Sequence, residues 1–134
     1  MKIFTIFIVI SLFVLLNIQS YAQNGVTLLG HFDNKHGTIS GVSYSACWGY
    51  VAPNGREYAI LGTVTGTAII DITNTDSLKE IVHIPGPSSE WREMRTYKDR
   101  AYVVSEGGSG VQIINLANLP ASANLVRSFT YSSG

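Results

Sequence analysis

The chain is short of what several protein classes require. It has one cysteine, Cys47, in 134 residues, which excludes an internal disulfide framework and any cysteine-rich zinc site. Charged side chains make up only 13%, nine basic against nine acidic, so no bulk charge exists to grip a polyanion and nucleic acid is not an expected partner. No helical periodicity persists beyond two turns after residue 22, so a helical bundle is excluded. The length allows one domain at most. Glycine, with thirteen copies, and β-branched residues are what the chain has in quantity, and both point to an all-β protein with many turns.

The one long apolar run lies at the start. Met1-Lys2 leads into Ile3 to Ile18, interrupted only by Thr5, Ser11 and Asn17, and then Gln19-Ser20-Tyr21-Ala22. A positive start, an apolar stretch of about 15 residues and a small-x-small exit match a secretory signal peptide over residues 1–22, cleaved after Ala22. A membrane anchor is the competing reading, and the run is slightly short of the about 20 residues a span needs. With no cysteine near the cleavage point, lipid anchoring is not expected. Loss of Lys2 leaves eight basic and nine acidic groups, a formal charge of −1. Export to the envelope or beyond is the expected localisation.

The remainder, residues 23–134, contains a repeat. Tyr58-Ala59-Ile60-Leu61 superposes on Tyr102-Val103-Val104-Ser105 at an offset of 44. At the same offset Gly66 falls on Gly110, Ile69-Ile70-Asp71-Ile72 on Ile113-Ile114-Asn115-Leu116, and Asn74 on Asn118. Ile81-Val82 falls on Leu125-Val126. The period is that of a four-stranded propeller blade, about 40–45 residues. Within each unit, apolar runs of strand length alternate with turn residues such as Pro53-Asn54-Gly55, Gly62 to Gly66 and Glu106 to Gly110. The units span about residues 45–87 and 88–134. Leu28 to Phe32 resembles the outer strand Leu125 to Phe129, so the chain is expected to start with an orphan outer strand of the kind that closes a propeller ring. A propeller needs about four to eight blades. Two blades and one strand therefore read as the N-terminal piece of a longer protein; a small open β-sandwich and ring assembly from several copies are the alternatives.

Ser45-Ala46-Cys47-Trp48-Gly49-Tyr50, Gly55 to Gly62 and Gly86-Pro87-Ser88-Ser89-Glu90-Trp91-Arg92-Glu93-Met94 resemble segments of a secreted bacterial family. The resemblance is to the choice-of-anchor B proteins, built on LVIVD-type repeats. Ala68 to Ile72 and Val111 to Leu116 occupy the place of that repeat's apolar motif, with Asn115 where aspartate is usual. The resemblance covers about residues 25–134. It implies an extracellular β-propeller, normally longer than this chain and often attached to the cell surface by a variable C-terminal signal. The family's activity is poorly defined, so the resemblance carries over no catalytic residue.

Candidate chemistry is sparse. His31, Asp33 and His36 are the weak candidates for a metal, since His31 and Asp33 share a strand face and His36 could fold back, but an outer-strand end with a polar loop is the preferred reading. His83 reads as an edge side chain. Serines, histidines and aspartates are present, yet no Gly-x-Ser-x-Gly elbow or helix supports a triad. Glu106 to Gly110 lacks the Lys-Ser/Thr of a phosphate loop, and Asp71, Asn74 and Asp76 lack calcium-loop spacing and read as turn stabilisers. Cys47 either pairs with a cysteine outside this chain or is a small apolar residue before Trp48. The binding candidates are Trp48, Tyr50, Trp91 and Tyr97, with Arg92, Glu90 and Glu93 beside Trp91 as polar contacts. Cys47 and Trp91 are read as equivalent, each just before an innermost strand. Packing between blades is the other role open to these aromatics.

The expectation is therefore an all-β, partial β-propeller without cofactor. Its expected role is a non-enzymatic cell-surface or periplasmic scaffold for a protein or glycan ligand, with cell-surface attachment through a C-terminal region outside this chain as the resemblance implies. The alternative is a hydrolase or metal-dependent enzyme completed by residues beyond it.

Overall fold

The alternation that runs through Glu57 to Thr63, and again through Arg100 to Ser105, is realised as strands with one fully buried face. The computed structural model describes residues 25–130, so the leader and the last four residues lie outside the described residues. Eight strands follow in order: β1 (Tyr44–Val51), β2 (Glu57–Thr63), β3 (Gly66–Asp71), β4 (Lys79–Pro85), β5 (Arg92–Tyr97), β6 (Arg100–Ser105), β7 (Val111–Asn115) and β8 (Asn124–Phe129). They form two four-stranded antiparallel sheets, β1-β2-β3-β4 and β5-β6-β7-β8. No helix occurs among the described residues, so the fold is all-β.

Turn chemistry sets the strand ends. Gly55, at φ 81°, closes the β1–β2 loop with its amide on the Ala52 carbonyl at 2.9 Å. Asp71 and Asn115, matched by the 44-residue offset, do the same job after β3 and β7. Asp71 Oδ1 accepts from the Thr73 amide at 3.0 Å, and Asn115 Oδ1 from the Ala117 amide at 3.0 Å. Each also holds an arginine at matched positions, Arg56 on Asp71 and Arg100 on Asn115. The matched Gly66 and Gly110 are needed because a Cβ there would run into the carbonyl oxygen of Ile84 or Phe129 on the outer strand.

Register assigns the faces. Trp48, Ile60, Ile69 and Val82 lie opposite one another across the first sheet, on the same face as Tyr50 and Tyr58. That face packs on Met94, Ala101, Val103 and Ile114 of the second sheet. Fully burying each such side chain contributes about 1.5–3 kcal/mol. Polar ties close the junction: Arg92 Nε donates to the Thr63 carbonyl at 3.2 Å and its Nη2 to the Pro87 carbonyl at 2.7 Å. Gln112 Nε2 donates to the Pro85 carbonyl at 3.1 Å.

Two sequence expectations are corrected. Leu28 to Phe32 form no strand; the stretch from Val26 to Thr38 is without regular pairing. An outer strand needs an inner neighbour to complete its ladder, and the described residues supply none. Residues 30–37 instead lie over the opposite face of the first sheet. Asp33 accepts from the Tyr44 hydroxyl at 2.6 Å, His36 bonds Glu80 at 2.9 Å and stacks on His83 at 3.8 Å, and Gly30 abuts the Thr75 carbonyl. The second correction concerns Cys47 and Trp91. Cys47 pairs with Leu61, whose repeat partner Ser105 pairs with Arg92. Cys47 is thus matched to Arg92, and Ala46 to Trp91. Five residues separate β1 from β2 and two, Lys98 and Asp99, separate β5 from β6: the second ladder gains the Tyr97–Arg100 pair and its register against β6 shifts by one residue.

Candidate functional site

The chain leaves β4 at Pro85 and reaches β5 through residues 86–91, and this crossing builds the most developed cleft. The Ser89 amide donates to the Val64 carbonyl at 3.0 Å, fixing the crossing to the first sheet. Ser89 Oγ accepts from the Trp91 amide at 3.1 Å and donates to the Trp91 carbonyl at 2.7 Å. The Glu106 amide donates to that same carbonyl at 3.2 Å, tying it to the β6–β7 turn. The Trp91 backbone is therefore held from both sides, while its side chain is left out: the residue is 68% exposed. A large aromatic left in water contributes little to packing and is free for contact.

Trp91 separates two clefts. One, of about 580 Å³, is lined by Ser45 and Ala46 of β1, by Trp91, Arg92 and Glu93, and by Val104, Ser105 and Glu106. The other, of about 440 Å³, has Ile39, Ser88, Ser89, Glu90, Glu106 and Gly107 around the same indole. Arg92 is turned away from both: it is buried, donates to the two carbonyls described above, and has its pKa pulled down by burial. The Ser45 hydroxyl, at the wall of the larger cleft, is out of solvent contact and has no hydrogen-bond partner.

The other candidates disperse. Trp48 is 36% exposed and engaged, its indole N–H donating to Thr96 Oγ1 at 3.0 Å and the Arg95 guanidinium lying 4.3 Å over its ring. Tyr50 is a core residue packed near Tyr58, and burial raises its hydroxyl pKa. Tyr97 is exposed at the far end of β5, beneath the Lys98 ammonium. Only Trp91 and Arg92 of the five line the clefts, and Arg92 does so from behind. Cys47 is a free, exposed cysteine whose thiol pKa is nonetheless raised by burial of the sulfur.

The metal candidates are not gathered. Asp33 is held below the usual carboxylate range by the Tyr44 hydroxyl, which outweighs the opposing effect of burial, with Lys35 adding to the lowering. Tyr44 is correspondingly pushed up to about 12, by burial and then by Asp33. His36 faces Glu80 and His83, not His31. No group of three or more metal-ligating side chains stands together among the described residues. Sequence reasoning missed Ser45, Ala46, Val104 and Glu106 as cleft walls. The β6–β7 turn reads only as a hairpin loop, and no local signal shows that it folds back against Trp91. Searches against protein families, curated proteins and solved structures found no match for the chain.

Proposed function

We propose that the two sheets are consecutive blades of an exported, non-enzymatic β-propeller that works as a binding scaffold at the cell surface or in the periplasm, taking a protein or glycan ligand at the Trp91 clefts. The observation that carries this reading is Trp91, whose main chain is hydrogen-bonded to Ser89 of the connecting segment and to the β6–β7 turn while the residue is 68% exposed. The apolar leader of residues 1–22 supports export. The 44-residue repeat, at the period of a four-stranded blade, supports the propeller.

Peptide and glycan arrays probed with residues 23–134, beside the Trp91→Ala variant, test the reading. Trp91 is not a core residue, so the variant is expected to fold and to lose the array signal. A chain that marks no spot, or whose spots are unchanged by the substitution, overturns it.

A further inference from the structure

We infer that the ligand of the Trp91 clefts is a basic peptide segment, laying a lysine or arginine side chain on the indole between the carboxylates of Glu90 and Glu106. The inference rests on the binding reading above and names its ligand. Its first support is the balance of charge. Three carboxylates line the two clefts, Glu90, Glu93 and Glu106, and Arg92 is the one cationic residue that does. Arg92 spends its donors on the carbonyls of Thr63 and Pro87, inside the junction between the sheets. Glu93 is shared with Arg95 at 3.3 Å, whereas Glu90 and Glu106 have no ion-pair partner among the described residues. An anionic ligand would meet uncompensated like charge here, and a neutral one would leave these carboxylates unused.

The second support is the indole. A tryptophan face is the best aromatic partner for an ammonium or guanidinium. Trp48 already shows this chemistry in the same molecule, with Arg95 over its ring, while Trp91 has no such cover among the described residues. The apolar wall of Ala46 and Val104 suits the methylene stem of a long basic side chain. The third support favours a peptide over an isolated cation. β5, which leaves the cleft at Arg92, pairs with β6 on one side only. A free strand edge beside side-chain pockets is the arrangement that captures extended peptides.

The test uses residues 23–134 carrying Trp48→Phe, so that Trp91 is the sole indole, titrated with trilysine amide, triglutamate and chitotriose. Trilysine amide is expected to change the Trp91 emission saturably. The affinity should fall as salt rises from about 0.01 to about 0.15 M, because the Debye length shrinks from about 30 Å to about 8 Å. It should drop about tenfold in the Glu90→Gln/Glu106→Gln double variant. Triglutamate and chitotriose should give no response. Calorimetric titration of the chain with both tryptophans intact repeats the comparison if the Trp48 substitution impairs folding. Failure of trilysine amide to saturate, or an affinity indifferent to the double variant, overturns the inference. Binding of chitotriose alone overturns it while leaving the scaffold reading intact; silence here together with blank arrays overturns both.

Discussion

Tyr58 and Tyr102 are the same residue at the same place in two copies of one repeat, yet Tyr58 is fully buried and Tyr102 is 37% exposed. Their neighbours behave alike: Ile60 is fully buried and its counterpart Val104 is 44% exposed. The pairing differs, Tyr58 standing opposite Asp71 and Tyr102 opposite Ile113 rather than Asn115, but a shift of two residues leaves a side chain on the same face, so register does not decide the burial. What decides it is the next layer. The face of the first sheet that carries Tyr58 and Ile60 has Met94 and Val103 against it, and the matching face of the second sheet has nothing against it among the described residues. The opposite faces differ too, because residues 30–37 cover the first sheet and hold it through His36, Glu80 and His83. In a repeat protein the sequence of a unit fixes its shape, and its neighbours fix its energetics.

The sharpest way to break this comparison is to truncate the matched pair. Ile60→Ala is expected to cost about 2–5 kcal/mol, whereas Val104→Ala should stay within about 0.5–1 kcal/mol, both read from urea midpoints. Equal costs would mean that the outer face of the second sheet is covered in solution. A smaller effect separates Asp71 from Asn115. Burial pushes the Asp71 carboxyl up, but Arg56 and Thr73 outweigh it and hold the pKa below the ordinary carboxylate value. The sign follows from linkage: the contribution is complete above the unfolded-state pKa of about 3.9 and is lost as pH falls through the lower folded-state value. Asp71→Asn should therefore cost below about 1 kcal/mol at pH 7, since an amide oxygen serves Arg100 in the other unit, and the difference from wild type should close in acid. Urea midpoints at neutral and acid pH measure this, and a gap that persists below the folded-state pKa would assign the effect to packing. The gentlest comparison is optical. Acrylamide should quench the single-tryptophan variant that retains Trp91 more strongly than the one that retains Trp48, because Arg95 and Thr96 shield the latter. Equal quenching would mean that the cage over Trp48 opens in solution.

Much of the fold was legible in the sequence, and for identifiable reasons. The apolar triplets around Ile60, Ile69, Val103 and Ile114 give strands, and the matched Gly66 and Gly110 stand where a side chain would strike the outer strand. The all-β class and the 44-residue spacing of matched strands follow from such local rules. The site was legible only in part. Trp91 and Trp48 look alike in sequence, and what separates them is which one meets Arg95 and Thr96 across the sheet junction. Arg92 reads as a ligand contact because it adjoins Trp91, but strand alternation turns it inward, onto the Thr63 carbonyl. Leu28 to Phe32 reads as a strand from its pattern, and a pattern cannot supply the partner that a strand requires. The one-residue register shift depends on the difference between the β1–β2 loop and the Lys98-Asp99 turn, a feature invisible to an ungapped repeat.

The uninterrupted strand order within each sheet bears on how quickly the molecule assembles. Within each sheet every strand pairs with its neighbours in the chain, so pairing needs only short loops to close. Such local topology lowers the entropic barrier that slows most all-β proteins. A chain emerging N-terminus first completes the first meander before the second is available, and domains built this way fold as they appear. Residues 30–37 depart from that order. His36 must wait for Glu80, 44 residues later, so the segment that emerges first latches only once the first meander is complete.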